Sequence, residues 1–184
     1  MPMFHRLTLV ALLATSAAAA QAAPVLAEQS VALQASKTGA TQTATLKSVH
    51  TVAGEFIDTF TLTGLDGWAK INASLTTLGS TQVLDIDFVS ASINGVAYSL
   101  TKSLLGSNPD GVETGSFVNT LLSAPLVLTV HGYAGAGLAA GTPINASYSG
   151  TFNVTQVSQV PEPASLALAL AGLTGIAVSR RRKA

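Results

Sequence analysis

Residues 54–64 of this chain, GEFIDTFTLTG, place a carboxylate between two aromatic side chains. On a β-strand Phe56, Asp58 and Phe60 share one face, because successive side chains point to opposite sides. This apolar face is expected to be the core side, where a charge without partners is costly. We therefore expect Asp58 to reach backbone N–H groups, a hydroxyl, a lysine or a metal ion, unless the face is partly open.

A second pair of carboxylates, Asp85 and Asp87, lies two residues apart in the stretch DIDF. On a strand both side chains would point the same way, with Leu84, Ile86 and Phe88 opposite. That spacing suits a Ca²⁺ ion or a paired-carboxylate site, and it is also typical of a solvated strand face. Ca²⁺ needs six to eight oxygen ligands, and no Asp-x-Asp-x-Asp-Gly loop occurs. We favour the solvated face and assign no cofactor, with Asp85 and Asp87 as the metal candidates.

The remaining candidates for chemistry are few. Between the end segments the only histidines are His50 and His131, and neither lies in a His-Glu-x-x-His or Gly-x-Ser-x-Gly motif. The chain has no cysteine, so it has no disulfide, thiolate metal site or thiol nucleophile. We predict that the protein is not an enzyme; an enzyme would need one of these histidines beside a carboxylate and a hydroxyl in one cleft. Trp68 could stack on a sugar, but we interpret it as a core residue.

The segment that must position these residues is predicted to be all-β. Residues 41–159 are rich in Thr, Val, Ser and Ile, with turn residues about every ten positions and no long helical periodicity, which favours an antiparallel β-sandwich. Asn94-Gly95 predicts a two-residue hairpin turn, and Asp66-Gly67 predicts another. Residues 107–111 are predicted to form a loop, and residues 132–141 are too glycine-rich to form a regular strand throughout. Residues 145–157 are predicted to be the last strand.

The N-terminus has the layout of a secretory signal peptide, residues 1–22. Arg6 precedes an apolar stretch from Leu7 to Leu13, and small residues follow up to a cleavage site formed by Ala20 and Ala22. Signal peptidase is therefore an expected processing enzyme. Residues 23–40 are predicted to be a flexible leader, within which AEQSVALQAS could form one short helix.

The C-terminal tail, residues 160–184, combines two prolines around a glutamate, an apolar run and a basic cluster. The apolar run, residues 164–178, would make a helix of about 22 Å, short of the roughly 20 residues of a usual membrane span. The basic residues would hold the C-terminus on the cytoplasmic side, and prolines keep the preceding backbone out of a regular helix. The tail is thus predicted to be a temporary stop in the inner membrane, with a plain tail anchor as the alternative.

This tail resembles the PEP-CTERM sorting signal of Gram-negative bacteria. The resemblance implies that exosortase, a membrane-embedded cysteine protease, recognises the tail, and that the host makes exopolysaccharide. By this resemblance the sorting motif would consist of Val160, Pro161, Glu162 and Pro163. Residues 164–178 would form the transmembrane helix. The cytoplasmic stop would consist of Arg180, Arg181, Arg182 and Lys183. The Phe56-x-Asp58-x-Phe60 pattern, with DIDF and the Tyr148-Ser149-Gly150 strand, resembles the FxDxF subclass, which implies no known activity.

Charge narrows the partners of the exported domain. The chain is 48% apolar and only 10% charged, against about 25% charged in an ordinary soluble domain. Four lysines and eight acidic residues lie between the end segments, a net charge of −4, which disfavours nucleic acid as a partner. We predict a protein of the cell surface or extracellular matrix with a structural or adhesive role. The alternative is a module that binds calcium or a carbohydrate of the exopolysaccharide matrix.

Overall fold

The computed structural model describes residues 23–36, 41–102 and 111–157, and these residues form strands joined by short connections. In chain order the strands are β1 (Val25–Ala32), β2 (Gln34–Ala35), β3 (Thr41–Val52), β4 (Gly54–Thr63), β5 (Trp68–Gly79), β6 (Ile86–Ile93), β7 (Val96–Ala97), β8 (Ser99–Lys102), β9 (Gly111–Ser123), β10 (Leu126–Ala134) and β11 (Pro143–Gln156). One turn of 3-10 helix, Gln82–Leu84, precedes β6. The predicted all-β class is confirmed.

The strands form two sheets. Sheet 1 has the order β1-β4-β10-β6-β7, and sheet 2 has the order β2-β3-β11-β5-β9-β8. Neighbouring strands are antiparallel throughout, apart from β1, which runs parallel to β4. The inner faces of the two sheets share one buried hydrophobic cluster. This arrangement agrees with the predicted β-sandwich.

Alternation of side chains builds the core from both sheets. On β5 the residues Ala69, Ile71, Ala73 and Leu75 point inward while their neighbours are exposed. Burying one large aliphatic or aromatic side chain contributes about 1.5–3 kcal/mol, so these two inner faces supply most of the drive for folding. Gly150 on β11 lets the strands approach closely, because a Cβ there would lie 2.9 Å from the side chain of Leu75.

The turn predictions have different outcomes. Asn94 and Gly95 have φ angles of 49° and 80° and connect β6 to β7, so that hairpin is confirmed. The Asp66-Gly67 hairpin is wrong: these residues lie in the connection from β4 in sheet 1 to β5 in sheet 2. The glycine-rich segment behaves as predicted, since β10 ends at Ala134 and a loop follows before β11.

The predicted leader, residues 23–40, differs from the structure, which has β1 and β2 where a flexible segment or a short helix was expected. The backbone of β1 pairs with β4 over all eight residues, yet most of its side chains are exposed and Leu26 is 72% exposed. Because the strand contributes so little to the core, its sequence lacks the alternation that identifies a strand.

Three predicted features lie outside the described residues: the signal peptide with Ala20 and Ala22, the loop at residues 107–110, and the sorting tail. In the described ranges, no helix is long and apolar enough to cross a membrane.

Candidate functional site

Asp58 lies on the inner face of β4 and is completely buried, with 0% of its surface exposed. Three side chains converge on one of its carboxylate oxygens, Oδ2. The hydroxyls of Ser48 and Tyr148 each donate to it over 2.6 Å, and His50 Nε2 lies 3.2 Å away. The predicted burial of Asp58 is confirmed, and a hydroxyl is among the partners that were expected.

Strand register brings these partners together. Ser48 and His50 are successive inward-facing residues of β3, and Tyr148 of β11 lies directly opposite Ser48 in the antiparallel ladder. All three therefore project from sheet 2 across the interior to Asp58 in sheet 1. The alternation along β3 could have predicted two of these partners. Ala44, Leu46, Ser48 and His50 alternate with exposed residues, which places the serine and the histidine on the core side.

Aromatic rings enclose the polar cluster formed by Asp58, Ser48, His50 and Tyr148. The imidazole of His50 stacks on Phe56 with ring centroids 4.0 Å apart. The ring of Tyr148 meets Phe88 and Phe60 edge-on, at centroid distances of 5.4 Å and 6.4 Å. The two phenylalanines of the Phe-x-Asp-x-Phe pattern thus pack against the side chains that bind the carboxylate between them.

The cluster favours an ionised Asp58. Burial by itself raises the pKa of the Asp58 carboxyl, but hydrogen bonds from His50, Ser48 and Tyr148 outweigh it and hold the pKa below its usual range. Burial and the adjacent negative charge of Asp58 raise the pKa of Tyr148 well above its usual value. At neutral pH the carboxylate is therefore charged and the phenol protonated, which makes their hydrogen bond charge-assisted.

The combination of serine, histidine and aspartate does not have the geometry of a hydrolase triad. In a triad one imidazole nitrogen faces the hydroxyl and the other faces the carboxylate. Here the same atom, His50 Nε2, lies 3.4 Å from Ser48 Oγ and 3.2 Å from Asp58 Oδ2. The Ser48 hydroxyl donates its hydrogen bond to the carboxylate and not to the imidazole, so His50 does not activate it as a nucleophile. None of the four side chains is more than slightly exposed, and a substrate would need access to them.

Asp85 is buried and Asp87 is half-buried, so the solvated face that was predicted for the pair is wrong for Asp85. The turn of 3-10 helix ends at Leu84, and Asp85 lies between that turn and β6, which begins at Ile86. Asp85 is buried against Gly79, where a Cβ would overlap its carboxylate. Asp87 is half-buried on the outer face of sheet 1, opposite Tyr133. Within the described ranges no group of three or more His, Cys, Asp or Glu side chains is arranged to hold a metal ion.

Trp68 is 42% exposed, so its interpretation as a core residue is wrong. It begins β5 and has the same parity as Lys70, Asn72 and Ser74, all of which face outward from sheet 2. The alternation of apolar and polar residues along β5 places Trp68 on the exposed side, together with Lys70, Asn72 and Ser74.

The second histidine, His131, lies on the outer face of sheet 1. Its Nε2 donates to Glu55 Oε1 over 2.7 Å, joining β10 to β4. The imidazole lies near the ring of Tyr133, with centroids 6.4 Å apart. These side chains are separate from the polar cluster, because Glu55 and His131 point away from the interior that holds Asp58.

Comparison with known proteins found a similar solved structure and a sorting motif. The search of curated proteins found no match. A periplasmic inhibitor of g-type lysozyme from Aeromonas hydrophila, PliG, is similar at 15% identity and a TM-score of 0.27, over 71% of this chain and 98% of the inhibitor. The PEP-CTERM protein-sorting motif matches residues 159–183 of this chain.

Proposed function

We propose that the exported domain is a non-catalytic protein with a structural or adhesive role at the cell surface or in the extracellular matrix. The PEP-CTERM motif at residues 159–183 indicates an exported protein that is processed by exosortase and sorted to the cell envelope. In this proposal the polar cluster around Asp58 stabilises the sandwich, and the outer faces of the sheets make the contacts. Signal-peptide cleavage after Ala22, an inner-membrane intermediate and assignment to the FxDxF subclass belong to the same proposal.

The observation that supports this role most directly is the outer face of sheet 2. One row of exposed hydroxyl side chains crosses five neighbouring strands in register: Thr45, Thr151, Ser74, Ser116 and Ser99. Ser74 Oγ and Thr151 Oγ1 hydrogen-bond to each other over 2.8 Å. A broad face of short hydroxyls presents many weak donors and acceptors across several strands, which suits adhesion over an extended surface.

Introducing three charges into this row should remove the protein from the surface. We expect the triple variant Thr45→Glu, Thr151→Glu and Ser116→Glu to be exported and folded, but to be recovered mainly in the culture medium. The three introduced carboxylates replace hydroxyls of the row and repel anionic surfaces. Immunoblots of matrix and medium fractions from a deletion strain that expresses the variant give the measurement. Circular dichroism of the purified variant checks the fold.

The matched control carries three glutamates at exposed positions on the outer face of sheet 1: Ser30→Glu, Thr63→Glu and Ser90→Glu. It adds the same net charge and should stay in the matrix fraction. Equal loss of both variants would mean that net charge, and not the hydroxyl face, determines retention, and equal retention of both would exclude an adhesive role for sheet 2.

Trp68 favours carbohydrate as a second candidate function. It is exposed on the same outer face as the hydroxyl row, and an aromatic ring with hydroxyl and amide neighbours is a common way to hold a sugar. Calcium is less well supported, since Asp58, Asp85 and Asp87 lie in three different environments.

Since Trp68 is the one tryptophan in the chain, its fluorescence reports directly on stacking. A carbohydrate module should show a saturable change in Trp68 emission on titration with exopolysaccharide from the host. Trp68→Ala should then lose retardation in affinity electrophoresis, while Leu78→Ala, which removes an exposed side chain at the other end of β5, should not. If the emission spectrum does not change, Trp68 does not bind this carbohydrate, and the structural or adhesive role stands alone.

A further inference from the structure

A cleft of about 490 Å³ opens at one end of the sandwich, where β10 runs into the glycine-rich loop before β11. Its walls come from the end of β3, the start of β1 and β4, and residues 133–141. The larger side chains that line it are Val25, Val52, Leu138, Tyr133 and Glu55, and most of the other lining residues are alanine or glycine. Sites for small molecules have this size and this mixture of apolar walls with few polar groups.

Backbone hydrogen bonds fix the loop that forms one wall. Gly135 N donates to the carbonyl of Asp85 over 2.9 Å, and Gly141 N donates to the carbonyl of Ala53 over 2.8 Å. Gly135 has a φ of 64°, and a Cβ there would lie 3.2 Å from Ala53, so the loop lies directly on the body of the domain. The cleft is therefore preformed, and a ligand need not order this loop.

The polar groups of the cleft have one sign of charge. Among the described residues that line the cleft, Glu55 is the one that carries a charge, and its Oε1 accepts a hydrogen bond from His131. Asp87 lies one strand further along the same row, because Glu55, Tyr133 and Asp87 are directly opposite one another on β4, β10 and β6. The strands of sheet 1 contain no lysine or arginine. The surroundings of the cleft therefore attract cations.

Tyr133 adds a second feature that favours a cation. Its side chain lines the cleft and is 37% exposed. A positively charged group over the face of an aromatic ring is attracted by the ring's electron density. A carboxylate beside an accessible tyrosine, with aliphatic walls around them, matches an organic cation better than a metal ion or a neutral apolar molecule.

We propose that this cleft binds an alkylammonium group. The cation would pair with Glu55 over the ring of Tyr133, and its alkyl carbons would pack against Val25, Val52 and Leu138. The proposal is independent of the role of sheet 2 in adhesion, because the cleft and the hydroxyl row share no residue.

Choline and its neutral analogue 3,3-dimethylbutan-1-ol, which have nearly the same shape, isolate the role of charge. We expect titration of the processed, exported protein with choline to shift the NMR signals of Tyr133 and residues 135–141 in a saturable way. The neutral analogue should bind about tenfold more weakly, because it lacks the attraction to the ring and the carboxylate. Equal binding of the two probes, or choline shifts spread over other parts of the domain, would overturn the proposal.

Two variants test the residues. Glu55→Gln should weaken choline binding about threefold to fivefold, because it removes the negative charge that pairs with the cation, with little effect on the neutral analogue. Tyr133→Leu should also weaken choline binding with little effect on the neutral analogue, and it leaves the Glu55–His131 pair in place. The matched control is Glu28→Gln on β1, an exposed acid on sheet 1 that does not line the cleft; its choline affinity should equal that of the parent. An equal loss in the Glu28 variant would mean general electrostatic attraction and no site.

The chain's own amino terminus is a competing occupant, because Ala23 also lines the cleft. If signal peptidase cuts before Ala23, a new ammonium group lies at the mouth of the cleft. Choline shifts that occur only in a protein with extra residues ahead of Ala23 would show that Glu55 serves this terminus, which would overturn the proposal of an external ligand. Shifts of the same size with and without the extension support it.

Discussion

Asp58→Ala should lower the free energy of unfolding by about 1–3 kcal/mol, the cost expected when buried hydrogen-bonding groups lose their shared partner. The substitution leaves the hydroxyls of Ser48 and Tyr148 and the Nε2 of His50 without their shared acceptor in the buried space between the two sheets. It also opens a small cavity between Phe56 and Phe60. Urea denaturation followed by circular dichroism measures the change.

Asp66→Ala is the matched control, since Asp66 is an exposed aspartate in a connecting loop and should change stability by less than about 0.5 kcal/mol. Asp58→Asn adds a pH readout. Because the folded-state pKa of Asp58 lies below its unfolded value, its ionised form stabilises the protein above about pH 4 and loses that effect as pH falls through the folded pKa. The gap between parent and Asp58→Asn should therefore narrow in acid.

A different result would reassign Asp58. If Asp58→Ala were as stable as the parent in urea and only lost stabilisation by added Ca²⁺, the carboxylate would be a metal ligand and the hydrogen-bonded cluster would not be its main role. In the structure the second oxygen, Oδ1, has no hydrogen-bond partner among the described residues. A Ca²⁺ titration of the parent protein is therefore part of the experiment.

The sequence was sufficient to predict the burial of Asp58 and its need for partners, because alternation on one strand and the cost of a buried charge are local arguments. The identity of the partners is not local. Tyr148 is 90 residues from Asp58 in the chain, and Ser48 and His50 belong to the opposite sheet. Only the order of strands in the sheets brings them together, and periodicity does not determine that order.

The errors have physical causes of the same kind. β1 was missed because it is held by a backbone ladder at the edge of sheet 1, and backbone hydrogen bonds leave no mark on the choice of side chains. Asp85 was expected to be part of a strand, whereas it lies between a turn of 3-10 helix and the first residue of β6, and alternation does not predict burial outside a strand. The Asp66-Gly67 turn was correctly placed, but a turn residue does not reveal whether the next strand returns to the same sheet.

Changing Pro161, Glu162 and Pro163 to alanine should abolish processing of the tail. The PEP-CTERM motif spans these residues, and a protease that recognises a short sequence in an extended segment loses its substrate when that sequence is replaced. The uncut chain should then accumulate in the inner membrane, as it should in a strain without exosortase. Immunoblots of membrane and surface fractions, with mass spectrometry of the surface form, provide the measurement.

The parent protein should reach the surface without its tail, so that surface peptides extend to about Val160 and none comes from residues 164–184. The apolar run of the tail has 15 residues, which is short for a permanent membrane span. The four basic residues after it oppose passage of the tail through the membrane. Replacing Arg180, Arg181, Arg182 and Lys183 with serine provides the matched test, because it leaves the sorting motif intact and weakens only the stop. That variant should release uncut chain to the periplasm. Full-length protein as the main surface species of the parent would instead support a plain membrane anchor, since a cleaved sorting signal cannot remain on the delivered product.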